Sequence, residues 1–404
     1  MNRAYIPREF YLERIIPYIN KDIVKVIVGQ RRVGKSYFMF QIMGYLKKGN
    51  IKESNIIYIN KELHEFDAIK TYVDLVKHVE KQKGKGRNYL FVDEIQEIED
   101  YHKALESLQA KGGYDIYCTG SNAKMLSSEI STKISGRYIE IKIFGLSYRE
   151  FLTFHKVNSG KDSFMKYIKF GGLPYLVNLE LEDTIVYGYL KSIYDSILLK
   201  DIVARHNIRN VNFLERLVEF VADNTASIVS AKKISDFLKS QRLSISPSVV
   251  LGYLSYLQEA FFIFKAKRFQ IQGKKIFEIG EKYYFEDLGL RHTVIGYRQP
   301  DINKILENLV YSHMNMLGYK VSVGIIKGKE VDFVCEKRGE RIYIQVAYLL
   351  GDKNTIEREF GNLLEIRDNY PKLVVSMDEP IGEKYKGIVQ YNIIDFLLKF
   401  QQGQ

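Results

Sequence analysis

Cysteine is scarce in this sequence: Cys118 and Cys335 are the only two among 404 residues. Each lies in an apolar, strand-like run far from the other, so they read as small core residues in a reducing compartment and imply no disulfide framework. Proline is scarce too, at seven residues, and with 46% hydrophobic residues this argues against extended disorder. No uninterrupted apolar run approaches the ~20 residues of a membrane helix, and Met1 to Arg8 lack the apolar centre of a signal peptide. A soluble cytoplasmic protein with no membrane partner is expected. The seven histidines are scattered without metal-ligand spacing, so the metal expected is Mg²⁺ carried with a nucleotide. Acid is in deficit: 49 Asp and Glu face 60 Lys and Arg, a net charge of +11. That balance favours polyanionic partners without identifying one.

What is present begins at a loop. Gly29-Gln30-Arg31-Arg32-Val33-Gly34-Lys35-Ser36 fit G-x-x-x-x-G-K-[ST] and directly follow the run Ile23-Val24-Lys25-Val26-Ile27-Val28. A buried strand ending in such a loop and running into a helix, Tyr37 to Leu46, aims backbone N–H groups and the positive helix end at a polyphosphate. Gly29 to Tyr37 therefore form the expected ATP-binding segment. Lys35 reaches the β- and γ-phosphates, Ser36 ligates Mg²⁺, and Gly34 lets the backbone pass close by.

A second strand, Tyr89-Leu90-Phe91-Val92-Asp93-Glu94, ends in two acids. Behind a phosphate loop, Asp93 suits the metal and Glu94 the water that attacks the γ-phosphate. A third strand, Asp115 to Thr119, runs into Gly120-Ser121-Asn122. If it lies between the other two, Ser121 or Asn122 orients the attacking water; the same residues also suit a helix N-cap. Arg137, before the strand Tyr138 to Phe144, fits either the arginine that a neighbouring subunit inserts or a surface arginine at a strand start.

These blocks resemble the AAA+ superfamily of ATPases. The closer resemblance is to a prokaryotic group joining an AAA+ domain (AAA_14-like) to a DUF4143-like region with a winged helix and a PD-(D/E)xK nuclease-like domain. Further marks are Phe170-Gly171-Gly172-Leu173-Pro174 and Tyr284-Phe285-Glu286-Asp287-Leu288-Gly289-Leu290. The resemblance implies catalytic roles for Glu94, Lys35, Arg137 and Ser121. The expected fold class is α/β: a P-loop NTPase (AAA+) parallel sheet with a helical lid, then a winged helix and a C-terminal α/β restriction-endonuclease-like domain. Boundaries are expected at 1–145, 146–210, 211–294 and 295–404.

Residues 211–287 read as three helices and a basic hairpin. Lys265, Lys267, Arg268, Lys274 and Lys275 are the candidate DNA contacts, as lysines on a wing would hold phosphates. The last hundred residues follow the order helix, three-strand meander, helix, strand, which resembles the PD-(D/E)xK nuclease core. That resemblance implies an acid on the first helix, an acid on the second strand and an E-x-K pair on the third. Glu307 and Asp332 match, but Gln345-Val346-Ala347 stand where E-x-K belongs, and Lys329 in the adjoining turn is the substitute cation considered. Glu307, Asp332 and Gln345 are accordingly expected to be vestigial.

The function expected is an ATP-binding and hydrolysing homo-oligomer, a ring that binds and remodels DNA, with branched DNA among the substrates. The alternatives are a nucleotide-dependent signalling or defence switch holding protein partners, and an ATP-gated nuclease.

Overall fold

In the computed structural model, residues 5–123, 134, 136–242, 245–273, 275–351, 353–380 and 385–400 are described, with 275–279 and 353 described in their backbone alone. The chain divides into two compact units, one of residues 1–144 with 259–261, the other of 145–258 with 262–404.

The first unit is built on a five-stranded parallel sheet. After helix α1 (Glu9–Ile15), strand β1 (Val24–Val28) leads into α2 (Lys35–Lys48), followed by β2 (Ile56–Asn60), α3 (Tyr72–Gln82), β3 (Asn88–Asp93), α4 (Tyr101–Lys111), β4 (Tyr114–Gly120) and β5 (Tyr138–Lys142). The strand order is β2-β3-β4-β1-β5, parallel throughout. Sequence pattern and position agree. The three central strands are buried at every residue, whereas the edge strands β2 and β5 are only partly covered. A strand covered on both faces reads as a continuous apolar run, and one at an edge need not. The run of β1 holds one exception, Lys25, which is fully buried and paired with Asp115 of β4. Asp115 is itself held by the Tyr117 hydroxyl at 2.9 Å and the Asn20 N–H at 2.7 Å, so the internal charge is compensated rather than exposed.

The second unit begins with helices α5 (Tyr148–His155), α6 (Lys161–Phe170), α7 (Asp183–Ser196), α8 (Val211–Asp223), α9 (Ala231–Ser240) and α10 (Pro247–Glu259), whose last residue, Glu259, is counted with the first unit. Then come β6 (Ile263–Gln270), β7 (Lys275–Phe285), α11 (Leu288–Ile295), α12 (Ile302–Met316), β8 (Lys320–Ile326), β9 (Lys329–Lys337), β10 (Glu340–Val346), α13 (Lys353–Leu364), β11 (Lys372–Ser376), β12 (Val389–Asn392) and α14 (Ile393–Lys399). Its seven strands form one mixed sheet in the order β12-β11-β10-β9-β8-β6-β7. Phe269, Val331, Val334, Tyr343, Phe360 and Val374 belong to a buried cluster on this sheet. The three helices expected from the spacing over 211–259 are present. The hairpin after them is not a free wing. Strand β6 pairs antiparallel with β7 and parallel with β8, because Ile263, Phe264, Ala266 and Phe269 are apolar enough to be covered as an inner strand.

Candidate functional site: a phosphate loop facing two acids

Strand β1 ends at Val28, and Gly29 to Gly34 turn the chain into α2. A Cβ on Gly29 would lie 2.2 Å from the Ile143 carbonyl oxygen, so no other residue fits where the loop passes the end of β5. Gly34 adopts φ +98° at the N-cap of α2, a left-handed backbone that costs glycine nothing. The loop is braced from behind by the buried Arg8, whose Nη1 donates to Val33 O at 3.1 Å and to Phe144 O at 2.8 Å. Val33 and Gln30 are buried, Arg32 and Tyr37 are exposed, and Arg31 lies 3.5 Å from Glu62. Lys35 Nζ donates to Gly29 O at 3.1 Å and Gln30 O at 3.0 Å, and lies 3.9 Å from Glu94 Oε1. An ammonium is thus held at the mouth of a helix N-terminus, where an anion is stabilised.

Strand β4 lies between β1 and β3, and this places the third element of the site. Thr119 Oγ1 donates to Asp93 and accepts the Glu94 N–H at 2.9 Å, so one hydroxyl sets both acids. Ser121 Oγ donates to Glu94 Oε2 at 3.3 Å, Gln96 donates to the same oxygen, and Tyr58 of β2 donates to Asp93 at 3.3 Å. Burial raises the Asp93 carboxyl above the usual range, opposed by hydrogen bonds from Ser36 and Thr119. Burial also pushes Glu94 upward, but Lys35, Gln96, Arg31 and Ser121 together outweigh it and hold that carboxyl below its ordinary value. Neighbouring carboxylates whose environments drive them apart are a signature of divided roles. Glu94 stays ionised, with φ +54° at the tip of the strand, and Asp93 sits beside Ser36. The donor set suits a hard cation that uses few protein oxygens and leaves room for phosphate. In the sequence Thr119 closes a strand, and its hydroxyl gains its role from the strand order, because β4 neighbours β3.

Arg137 is exposed and precedes Tyr138, which pairs with Val24 at the start of β1. Because the strands are parallel, it stands at the opposite end of the strands from its own loop, about 15 Å away at roughly 3.3 Å per residue.

In the second unit, Lys265 Nζ lies 3.9 Å from Glu281, Lys267 is exposed and Arg268 is partly buried. Lys274 lies outside the described residues, and so does the side chain of Lys275. Glu307 of α12, Asp332 of β9 and Gln345 of β10 do converge. Asp332 N–H donates to Gln345 Oε1 at 3.3 Å, and the cation at their centre is Lys282 of β7, 2.7 Å from Glu307, 2.6 Å from Glu330 and 4.0 Å from Asp332. Lys329, the substitute considered from the sequence, instead pairs with Glu365 at 2.7 Å. Burial raises the carboxyls of both Glu307 and Asp332 despite that ammonium.

Among known families, an AAA domain matches residues 21–152 and a domain of unknown function, DUF8612, matches 161–301. The second match corrects the DUF4143-like region suggested by the motifs. An uncharacterized protein of Haemophilus influenzae is 37% identical over 407 residues, covering 99% of this chain and all of the relative. One of Methanocaldococcus jannaschii is 32% identical over 84% of this chain and 80% of its own length. Among solved structures, the Walker-type ATPase PABY2304 of Pyrococcus abyssi aligns with a TM-score of 0.50 at 15% identity, over 72% of this chain and 96% of that one. The likeness is one of fold: a P-loop α/β sheet of AAA+ type with a helical lid. No described helix is long and apolar enough to cross a membrane. The chain belongs to the family of the Haemophilus and Methanocaldococcus proteins, and in it an AAA+ (Walker-type) ATPase domain is joined to a domain of unknown function.

Proposed function

We propose that the protein binds Mg·ATP on Gly29 to Tyr37, hydrolyses it with Glu94, and uses the cycle as an oligomer to act on DNA. The observation that carries this reading is the convergence of Lys35, Ser36, Asp93, Glu94, Thr119 and Ser121 at one edge of a parallel sheet. Lys35 is placed to leave the loop carbonyls for the β- and γ-phosphates, while the N–H groups of the loop and of α2 receive the rest of the charge. Ser36 and Asp93 would hold Mg²⁺, which when bound neutralises phosphate charge. Glu94, kept ionised, accepts a proton from water. The water oxygen bonds to the γ-phosphorus, the bond to the β-phosphate oxygen breaks, and ADP and phosphate leave. Ser121, hydrogen-bonded to Glu94, steadies that carboxylate. Arg137, remote from its own loop, is assigned to the site of a neighbouring subunit, where such an arginine contributes roughly 10³ or more in rate.

DNA is favoured as the partner by the net charge of +11 and by the basic run Lys265 to Arg268. Each phosphate neutralised there steepens the salt dependence by about one unit. Titrating duplex, branched and single-stranded DNA into an ATPase assay at two salt concentrations tests this. Salt-sensitive stimulation is expected, and its absence would favour a switch that holds protein partners.

A second reading, an ATP-gated nuclease, is favoured by the meeting of Glu307, Asp332 and Gln345 around a lysine. Labelled branched DNA incubated with Mg²⁺ or Mn²⁺ should then be cut, and cutting should vanish in Asp332→Ala. Cutting that survives the substitution removes this reading.

A further inference from the structure

Glu259, Ala260 and Phe261 lie between α10 and β6 in sequence yet are part of the first unit. Two segments of the nucleotide machinery grip them. Gln30, in the loop, donates from Nε2 to Phe261 O at 3.2 Å, and Ala123, two residues beyond Ser121, donates its N–H to Glu259 O at 2.8 Å. The next residue is gripped separately: Phe262 O accepts the Glu286 N–H at 3.3 Å, and Phe262 N–H donates to Leu257 O at 3.0 Å. Adjacent carbonyls, those of Phe261 and Phe262, are therefore tied to the phosphate loop and to the second unit.

The tie stores strain at both of its ends. Phe261 has φ +55°, a region that bulky side chains seldom enter without compensation. Gln30 is wholly buried, and its Oε1 has no hydrogen-bond partner among the described residues. An orphaned amide oxygen is costly in a protein interior. What the glutamine side chain supplies, at the cost of that orphaned oxygen, is the donor to Phe261 O. The carbonyl of this same residue receives Lys35 Nζ at 3.0 Å. An ammonium that turns to a triphosphate must withdraw from that carbonyl, which frees the Gln30 peptide to shift.

We infer that Gln30 is a positioning residue that reports nucleotide occupancy to the Glu259–Phe262 link. This rests on the nucleotide-binding reading of the loop. Engaging a triphosphate draws Lys35 off Gln30 O, Gln30 lets go of Phe261 O, and the link relaxes from its left-handed turn. The covalent neighbours of that link are α10 and β6, so the signal reaches the second unit along the chain itself.

The test is amide hydrogen exchange at Ala123 and Phe262 in the full-length protein, with and without saturating Mg·ATP, in a Glu94→Gln background that retains nucleotide. Fluorescent ATP titration is run on the same samples. Exchange at both amides is expected to quicken at least about five-fold with nucleotide. In Gln30→Leu and in Gln30→Glu, which lacks the donor, exchange should be fast from the outset and indifferent to nucleotide. If nucleotide binds and the two amides exchange unchanged, the coupling is wrong and the binding site stands. If no nucleotide binds, both fall together. A Gln30→Glu protein that keeps the nucleotide-dependent change would also overturn the proposal, whatever becomes of Gln30→Leu.

Discussion

Asp287 Oδ2 accepts the backbone N–H of Gly172 at 2.7 Å, across 115 residues of sequence. This bond joins the two motifs that mark the second unit, and the fit explains their glycines. A Cβ on Gly171 would sit 2.4 Å from Asp287 Oδ1, and one on Gly289 would sit 2.1 Å from Phe170 O. Asp287 Oδ1 also takes the Leu290 N–H at 3.0 Å, capping α11, and Glu286 takes the Gly145 N–H at 2.8 Å. Both motifs fall inside the region shared with the domain of unknown function.

Burial raises the Asp287 carboxyl to about 6, against hydrogen bonds from Gly172, Leu290 and Gly289 that favour its charge. The folded chain therefore holds a proton, between roughly pH 4 and 6, that the unfolded chain has released. For this group, stability is greatest below the unfolded value and falls as pH rises through 6, by on the order of 3 kcal/mol. Asp287→Ala orphans the Gly172 and Leu290 N–H groups, among others, at about 1 to 3 kcal/mol each. Urea unfolding should show a larger loss for the variant at pH 5 than at pH 7, and the opposite order contradicts the assignment.

Lys35→Ala is expected to abolish ATP binding, because Lys35 is the loop cation held at the N-terminus of α2 against Gly29 O, Gln30 O and Glu94. Glu94→Gln should bind ATP and lose about 10²- to 10⁴-fold in turnover. Equilibrium binding and steady-state hydrolysis on the same preparations separate the two effects, and normal turnover in either variant is the adverse result.

Thr119→Val keeps the shape of the side chain and removes both of its hydrogen bonds, one to each acid. Turnover should fall about 10- to 100-fold, the usual effect of freeing a group that orients a ligating or catalytic one, with Thr119→Ser restoring most of it. A Thr119→Val enzyme of full activity would show that the acids hold themselves in place.

Arg137→Ala should lower hydrolysis by roughly 10³ with nucleotide affinity near normal. Mixing it with Glu94→Gln gives a sharper result. An arginine acting across a subunit boundary lets the two inactive proteins restore activity together, whereas a monomer or a surface arginine gives no recovery.

Lys282→Met removes the ammonium shared by Glu307, Glu330 and Asp332, a change that costs about 3 to 5 kcal/mol when a buried charge loses its partner. Burial has already raised Glu307 and Asp332, so protonation should relieve the variant as pH falls. Thermal unfolding at pH 7 and pH 5 reads this directly. An unchanged melting point at pH 7 would mean the cluster is stabilised from elsewhere.

Local pattern in the sequence determined the strand, loop and helix around Lys35, the buried run ending in Asp93 and Glu94, and the helices over 211–259. Each depends on neighbours a few residues apart, where chirality, periodicity and glycine geometry decide the outcome. What the tertiary structure alone decided was who stands beside whom. Thr119 between the acids follows from a strand order that places β4 between β1 and β3. Lys282 filled the place considered for Lys329 because β6 and β7 joined the sheet instead of standing free. Gln30 on Phe261 and Gly172 on Asp287 pair residues separated by 231 and 115 positions. Partners so distant are selected by the packing of whole elements, a global compromise that no short stretch of chain encodes.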